Sequence, residues 1–406
     1  MKLKLAQSLL IFISVLLAFA LVEPFFRANL MRLPLRVQGN IEPCVRPLAQ
    51  ISKKGLFPHD YIAILGDSNA EGMGDWYISA DRSKNVPFHS ANIIHERTGR
   101  DVISLGSSGA APQRYLVANL PATVMYINKM VRFSIERPAD VLVYFYEGND
   151  FSDSFRDLRH RFSPNLDPAD IYNDEKMETY LRDVVQKKDL RYKRARNFHF
   201  VYNLQAANFV FRVFINIYKY FKDGARLPSH PQIAGVTNKI KLGSEIVPIP
   251  DDMHAPALEL NDEQLRMGAH VFKKCLQYLM REFPDARYGI VYVPAPMSVY
   301  RWASEEVSLQ AYEGDKKIFK SAMVYPYSDR ICELIAGVAA ELRVPFVDTR
   351  PRLRSEATRA VLHGPYDWKH LNRRGYELLS EDVLLLLEAR APSTLRKSAG
   401  KSAAPK

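Results

Sequence analysis

Five short runs of apolar residues constrain the fold of this chain more than any other feature of its sequence. The runs occupy residues 60–65, 101–105, 140–146, 288–293 and 344–348. The first four stop at a glycine or a proline, or one residue before it. Their apolar residues follow one another rather than alternate with polar residues, which is typical of strands buried on both faces of a parallel sheet.

Helix-like stretches separate these strand candidates. They occupy residues 88–97, 113–136, 261–283, 328–342 and 375–388. Asn261 and Gln264 have the spacing of a capping box at the start of the third stretch. Pro121 lies inside the second stretch and is expected to break or kink it. Strands that alternate with helices predict a doubly wound α/β sheet.

The positive charge of the chain is concentrated in two places. The net charge is +11 over 406 residues, and residues 181–196 contribute +5 of it while residues 391–406 contribute +4. A nucleic-acid-binding fold usually spreads its basic face through the body of the domain. The distribution therefore does not favour a nucleic-acid partner. A hydrophobic content of 47% excludes a wholly disordered polymer.

The three cysteines, Cys44, Cys275 and Cys332, form no Cys-x-x-Cys pair. The spacing therefore predicts neither a zinc knuckle nor a disulfide framework. Small buried side chains are the favoured interpretation, and a single disulfide is the alternative.

Residues 1–26 resemble a membrane anchor or a signal peptide. Lys2 and Lys4 precede an apolar run from residue 9 to residue 22, and Ala18-Phe19-Ala20 resembles a cleavage site. The apolar character resumes at residues 24–26, which favours an uncleaved anchor with the domain outside the cytoplasm, on the periplasmic side or the cell surface. A secreted protein, if the segment is cleaved, and a buried core helix are the alternatives.

The rest of the chain divides into three parts by composition, one of which contains an insertion. Residues 27–57 contain three prolines and are predicted to be a linker or stalk. Residues 58–390 form the α/β domain, which an insertion at residues 151–260 interrupts. Residues 391–406 are a basic tail of low complexity, predicted to be disordered.

The insertion contains a strongly aromatic stretch at residues 198–221. Five polar or basic residues break up that stretch, so an amphipathic helix is expected rather than a second membrane span. Such a helix can serve as a lid or a membrane-surface element. The alternative is an ordinary insertion whose aromatic face packs on the core.

Polar residues follow three of the strand candidates and recur near the C-terminus. They are Gly66-Asp67-Ser68, Gly106-Ser107-Ser108-Gly109, Gly148-Asn149-Asp150 and Asp367-Trp368-Lys369-His370. Ligands of an open α/β sheet bind outside the carboxyl ends of its strands. We therefore expect these four segments to meet at one edge of the sheet.

These residue types are the ones that acyl transfer requires. A serine such as Ser68 needs an adjacent base to remove its proton, and His370 can serve. Asp367, three residues earlier, can hold the imidazole in the correct tautomer. An oxyanion needs preorganised donors, which the backbone N–H groups of Ser68 and Gly106 and the Asn149 amide can supply.

The four segments together resemble the SGNH (GDSL-type) hydrolase superfamily, named for a Ser, a Gly, an Asn and a His in four separated blocks. Ser68, Gly106 and Asn149 match the first three blocks, and Asp367 with His370 matches the last. The resemblance implies a flavodoxin-like three-layer α/β/α sandwich. It also implies ester hydrolysis or acyl transfer, with no metal and no cofactor.

Three residues depart from the family pattern. They are Asn69, Ser104 and Glu147, which stand where the family often has Leu, Asn and Gly. None of them is a catalytic group by the argument above, but they weaken assignment to a subfamily.

Several other polar residues have two interpretations. Glu71 and Asp75 can line the pocket, but solvated helix-start residues are favoured; His363 is expected on the surface. Tyr292, Tyr300 and Trp302 either form a platform for an acceptor sugar or cover the edge of the sheet.

The resulting prediction is a serine-dependent esterase or O-acyltransferase that acts on an acylated carbohydrate or a lipid ester outside the cytoplasm. A cell-envelope polysaccharide is one candidate substrate. A non-catalytic glycan-binding protein on the same fold is the alternative, and a membrane scaffold that uses the insertion is a third.

Overall fold

The fold is known from a computed structural model, which describes residues 2–87, 89–199, 203–223, 238–251, 253–310 and 316–390. The predicted tail at residues 391–406 lies outside the described residues. The helices are α1 (Lys2–Ala28), α2 (Leu35–Gln38), α3 (Ser68–Glu71), α4 (Asp75–Ser79), α5 (Ser90–Thr98), α6 (Pro112–Arg114), α7 (Leu120–Lys129), α8 (Asp150–Arg161), α9 (Pro168–Ile171), α10 (Asp174–Thr179), α11 (Leu190–Arg196), α12 (Gln205–Asp223), α13 (Asp262–Glu282), α14 (Val324–Leu342), α15 (Arg350–Glu356) and α16 (Arg373–Arg390). The strands are β1 (Ile62–Leu65), β2 (Val102–Ser104), β3 (Asp140–Tyr146), β4 (Lys239–Leu242), β5 (Glu245–Pro248), β6 (Arg287–Val293), β7 (Arg301–Trp302), β8 (Glu306–Gln310), β9 (Lys316–Lys320) and β10 (Phe346–Asp348).

The five predicted strands form one parallel sheet in the order β2-β1-β3-β6-β10. This is the strand order of flavodoxin-like doubly wound sheets, with the switch point between β1 and β3. Side chains of β1 alternate between two buried clusters, with Ile62 and Ile64 on one face and Ala63 and Leu65 on the other. Because both faces are covered, the strands carry the continuous apolar sequence seen above.

Most of the predicted helices are present within a few residues. Asn261 and Gln264 form the expected capping box at the start of α13. Pro121 was expected to break or kink its helix. The chain is helical from Pro112 to Lys129, but the regular α-helical pattern is interrupted directly before Pro121, where a π-helical stretch at Tyr115–Asn119 precedes α7.

Residues 27–57 differ from the predicted linker or stalk. Leu30, Val45 and Leu48 are fully buried in the larger core cluster. The Gln50 side chain accepts from the Ser104 N–H at 2.8 Å and donates to the Ser104 carbonyl at 2.7 Å. This segment therefore covers the edge strand β2, whose backbone groups would otherwise be unpaired.

The first part of the insertion, which precedes its aromatic stretch, packs on the core. Phe155, Leu158, Met177 and Leu181 are buried in the same cluster as α13. The predicted amphipathic helix is α12, and it packs against α1 rather than on the sheet.

The predicted membrane anchor is not confirmed. Among the described residues, no helix combines the length and the hydropathy needed to span a bilayer. The three cysteines are buried and unpaired, so no disulfide forms among them.

Candidate active site

Ser68 lies directly after β1, at the switch point of the sheet. Asp67 caps the short helix α3 by accepting from the Asn69 N–H at 2.9 Å. This cap turns the chain sharply, so Ser68 begins the helix at the carboxyl edge of the sheet. The Ser68 side chain is largely buried, at 5% exposure.

His370 joins Ser68 to Asp367. Its Nε2 lies 2.7 Å from Ser68 Oγ, and its Nδ1 lies 2.7 Å from Asp367 Oδ2. Burial alone would raise the pKa of Asp367, but the hydrogen bond and the charge of His370 outweigh it and lower the pKa to about 2. Asp367 is therefore an acceptor that stays ionised at neutral pH and fixes the imidazole tautomer.

A further carboxylate holds the loop that carries Asp367. Asp75 Oδ1 accepts from the backbone N–H groups of Tyr366 at 3.0 Å and Asp367 at 2.6 Å. Asp75 is buried, so the favoured prediction of a solvated helix-start residue is wrong. Burial raises its pKa, and the two N–H donors oppose that rise. Nothing in the local sequence distinguishes Asp75, because the N–H groups that donate to it lie almost three hundred residues downstream.

Gly106 lies against the helix that carries Ser68. A Cβ at this position would lie 2.0 Å from Glu71 N and 2.5 Å from the Ala70 carbonyl carbon. Only a glycine permits this approach. Glu71 also fixes the following loop, because its Oε2 accepts from the Ser108 N–H at 2.8 Å.

Asn149 follows β3 and is buried beside Asp67. Burial raises the pKa of Asp67, and hydrogen bonds from Asn69 and the Asn149 side chain oppose that rise. An amide carries two N–H groups, so a bond to Asp67 leaves one for a substrate oxygen. The structure thus places all three predicted oxyanion donors at the sheet edge, and their role stays a prediction.

A cavity of about 310 Å³ adjoins this edge. Its lining includes Gly106, Trp76, Arg46 and Arg191. Arg191, from the insertion, donates to Ser107 Oγ at 3.1 Å and so ties the insertion to the loop that carries Gly106. Of the three predicted oxyanion donors only Gly106 lines this cavity, and neither Ser68 nor His370 does, so the cavity lies beside the catalytic residues and does not contain them.

Burial decides two other predictions, one for His363 and one for Tyr292 and Tyr300. His363 is buried, not on the surface, and its Nδ1 lies 2.8 Å from the Tyr300 hydroxyl. Tyr292 and Tyr300 are also buried, so they pack in the core rather than form a sugar platform. Within the described residues, no group of His, Cys, Asp and Glu is arranged to hold a metal ion.

The comparisons with known proteins are weak. Neither the protein-family models nor the curated proteins match the sequence. Among solved structures, an extracellular lipase from Streptomyces rimosus is similar with a TM-score of 0.36 and 15% identity, covering 82% of this chain and 99% of that one. Phospholipase A1 from Streptomyces albidoflavus NA297 has a TM-score of 0.33 and 14% identity, covering 82% and 98%.

A third similar structure is LAE5, an alpha/beta hydrolase enzyme from the metagenome of Lake Arreo, Spain. Its TM-score is 0.33 at 11% identity, with 83% of this chain and 98% of that chain covered. These structural neighbours are lipases and hydrolases, but TM-scores of this size do not establish a shared fold. The function of this chain has to be argued from its own geometry.

Proposed function

We propose that this protein is a serine-dependent acyl-transfer enzyme of SGNH type, which hydrolyses an ester or passes its acyl group to a hydroxyl acceptor. One observation carries the proposal. His370 is hydrogen-bonded at once to Ser68 Oγ and to an ionised Asp367, at the switch point of a flavodoxin-like sheet. A nucleophile, a base and an orienting carboxylate in this geometry are the requirements of acyl transfer.

The first half of the reaction forms an acyl-serine. Ser68 Oγ attacks the ester carbonyl while His370 Nε2 takes the hydroxyl proton. The resulting oxyanion accepts hydrogen bonds from the N–H groups of Ser68 and Gly106 and from Asn149. The intermediate then collapses, and His370 returns its proton to the departing alkoxide.

The second half releases the acyl group. Water or a sugar hydroxyl attacks the acyl-serine, and His370 takes the proton of the attacking group and returns it to Ser68. Hydrolase and transferase therefore share every residue and differ only in the acceptor. An acylated carbohydrate or a lipid ester fits the family resemblance as substrate, and an extracytoplasmic site of action stays a prediction.

Covalent labelling of the full chain tests the proposal. A fluorophosphonate should label the wild type and the Ser108→Ala control, but not Ser68→Ala. Hydrolysis of p-nitrophenyl acetate should fall by at least about a thousandfold in Ser68→Ala. Steady turnover indicates a hydrolase, whereas an acyl burst without turnover indicates a transferase that lacks its acceptor. Equal labelling of Ser68→Ala and the wild type would refute the mechanism.

The full chain is the correct material for this test. Glu23 in α1 accepts from the backbone N–H groups of Gln205 and Ala206 at 2.6 and 2.7 Å. Removal of α1 would take away the carboxylate that accepts from these buried donors and would loosen the insertion.

A further inference from the structure

Helix α12 exposes its apolar face and turns polar side chains toward the domain, the reverse of a helix packed on a soluble domain. Its exposed large side chains are Val210 (46%), Phe211 (64%), Phe214 (65%), Ile217 (46%), Tyr218 (66%) and Phe221 (79%). At about 100° per residue these six positions form one stripe along the helix. A soluble domain has no reason to present such a stripe to water.

The opposite face of α12 is bound to the domain. Arg212 forms an ion pair with Glu42, and Asn216 Nδ2 donates to Asn40 Oδ1 at 2.6 Å. The ring of Phe209 lies 5.1 Å from the ring of Phe26. These contacts lie roughly opposite the apolar stripe. They fix which side of the helix faces outward.

The start of α12 is held by α1. Both carboxylate oxygens of Glu23 accept from the first N–H groups of α12, those of Gln205 and Ala206. Arg27 Nε donates to the same carboxylate at 2.7 Å. A buried carboxylate with three such donors fixes the position of the helix relative to α1. The orientation of the stripe is therefore built into the fold.

The adjoining turns of α1 extend the apolar surface. Leu17, Leu21, Val22 and Phe25 are exposed, and α1 packs alongside α12. We call these four side chains and the six of α12 the apolar surface. It is much larger than the scattered exposed apolar residues of ordinary soluble proteins, so it marks an interaction site.

We propose that the apolar surface lies in the interfacial layer of a lipid bilayer, with α12 parallel to the membrane plane. Phe211, Phe214 and Tyr218 are side chains suited to the boundary between headgroups and acyl chains. Lys219 and Lys222 are exposed on the same helix, and no acidic residue precedes Asp223 in it. At about 100° per residue Lys222 lies next to Phe211 at the edge of the stripe, and a cation at that border meets anionic headgroups.

The charge pattern favours lipid over a second copy of the chain. Pairing two copies through α12 would bring together two helices that each carry three basic residues and a single acidic residue, Asp223. A bilayer containing anionic lipid offers both apolar depth and negative charge. Membrane binding does not involve Ser68, so this proposal is tested independently of the proposed reaction.

Vesicle flotation with the full chain tests the proposal. The wild type should float with phosphatidylcholine vesicles and bind more when phosphatidylglycerol is added. The double variant Phe211→Gln/Phe214→Gln should lose about tenfold or more of its binding, because two exposed aromatic side chains no longer enter the lipid. Ile246→Gln/Ile318→Gln is the matched control, since these side chains are 61% and 62% exposed on β5 and β9. It should bind as the wild type does.

A second measurement does not depend on loss of binding. Phe214→Trp should be quenched by bromine-labelled lipids, whereas Ile246→Trp should not. Ser68→Ala should float as the wild type does. Unchanged flotation of the phenylalanine variant, or a Phe214→Trp signal insensitive to brominated lipid, would overturn the proposal. Self-association of the wild type without vesicles, if Phe211→Gln/Phe214→Gln abolished it, would also overturn the proposal, because the apolar surface would then join two copies of the chain.

Discussion

Asp75 is predicted to position the catalytic loop although it touches neither Ser68 nor His370. Asp75→Ala removes the acceptor of two backbone donors, the N–H groups of Tyr366 and Asp367. A donor left unpaired in a buried place costs about 1–3 kcal/mol. Because Tyr366 is 46% exposed, water can reach part of this loop. We therefore expect a loss of about 2–3 kcal/mol in the free energy of unfolding.

The same change should reduce catalysis through geometry. Asp367 and His370 lie on the loop that Asp75 holds, so a shift of about 1 Å in that loop is expected to lower kcat about a hundredfold. KM should change little, because Asp75 is not placed against the substrate. Asp75→Asn keeps one acceptor oxygen, and it should restore most of kcat and most of the stability.

Urea denaturation and the kinetics of p-nitrophenyl acetate hydrolysis measure these effects. Glu96→Ala, at an exposed position on α5, is the control and should leave both unchanged. The reasoning fails if Asp75→Ala keeps wild-type kcat and stability. It also fails if Asp75→Asn is as damaged as Asp75→Ala, because the charge and not the acceptor geometry would then matter.

Two further changes test the packing around the site. Gly106→Ala places a Cβ 2.0 Å from Glu71 N and should cost about 3 kcal/mol or more in urea denaturation, together with most of the activity; wild-type stability would contradict the close approach. Burial lowers the pKa of His363 to about 3, whereas the pKa of a histidine in the unfolded chain is about 6.5. The unfolded chain therefore binds this proton first as the pH falls below 6.5, and stability falls by up to about 1.4 kcal/mol per pH unit. His363→Gln should flatten this dependence between pH 6.5 and 4.5, and an unchanged slope would show that the burial is wrong.

The structure also corrects how the chain is divided. Residues 27–57 are rich in proline and mixed in polarity, which is typical of a linker, yet they cover the edge of β2. The composition of a segment indicates how it interacts with water. Whether the segment covers a sheet edge depends on the unpaired backbone groups of a strand that is distant in the sequence. The pairing of Gln50 with Ser104, fifty-four residues apart, has no local signal.

The sequence alone was sufficient for the parts of the protein that depend on local patterns. Continuous apolar runs predicted the parallel strands, because burial on both faces removes polar alternation. Asn261 and Gln264 predicted a helix start, because a cap needs only neighbouring residues. Three polar segments at strand ends predicted one site, since parallel strands share one carboxyl edge, and the Asp-x-x-His segment near the C-terminus supplied the base expected to meet Ser68.

The tertiary structure alone decided the contacts between distant segments. It placed Asp75 under the catalytic loop and buried His363 against Tyr300. The orientation of α12 is the clearest case. Its sequence predicted two faces, but not which face turns outward. That choice depends on Glu23, Glu42 and Asn40, which bind the polar side and leave the aromatic side chains exposed.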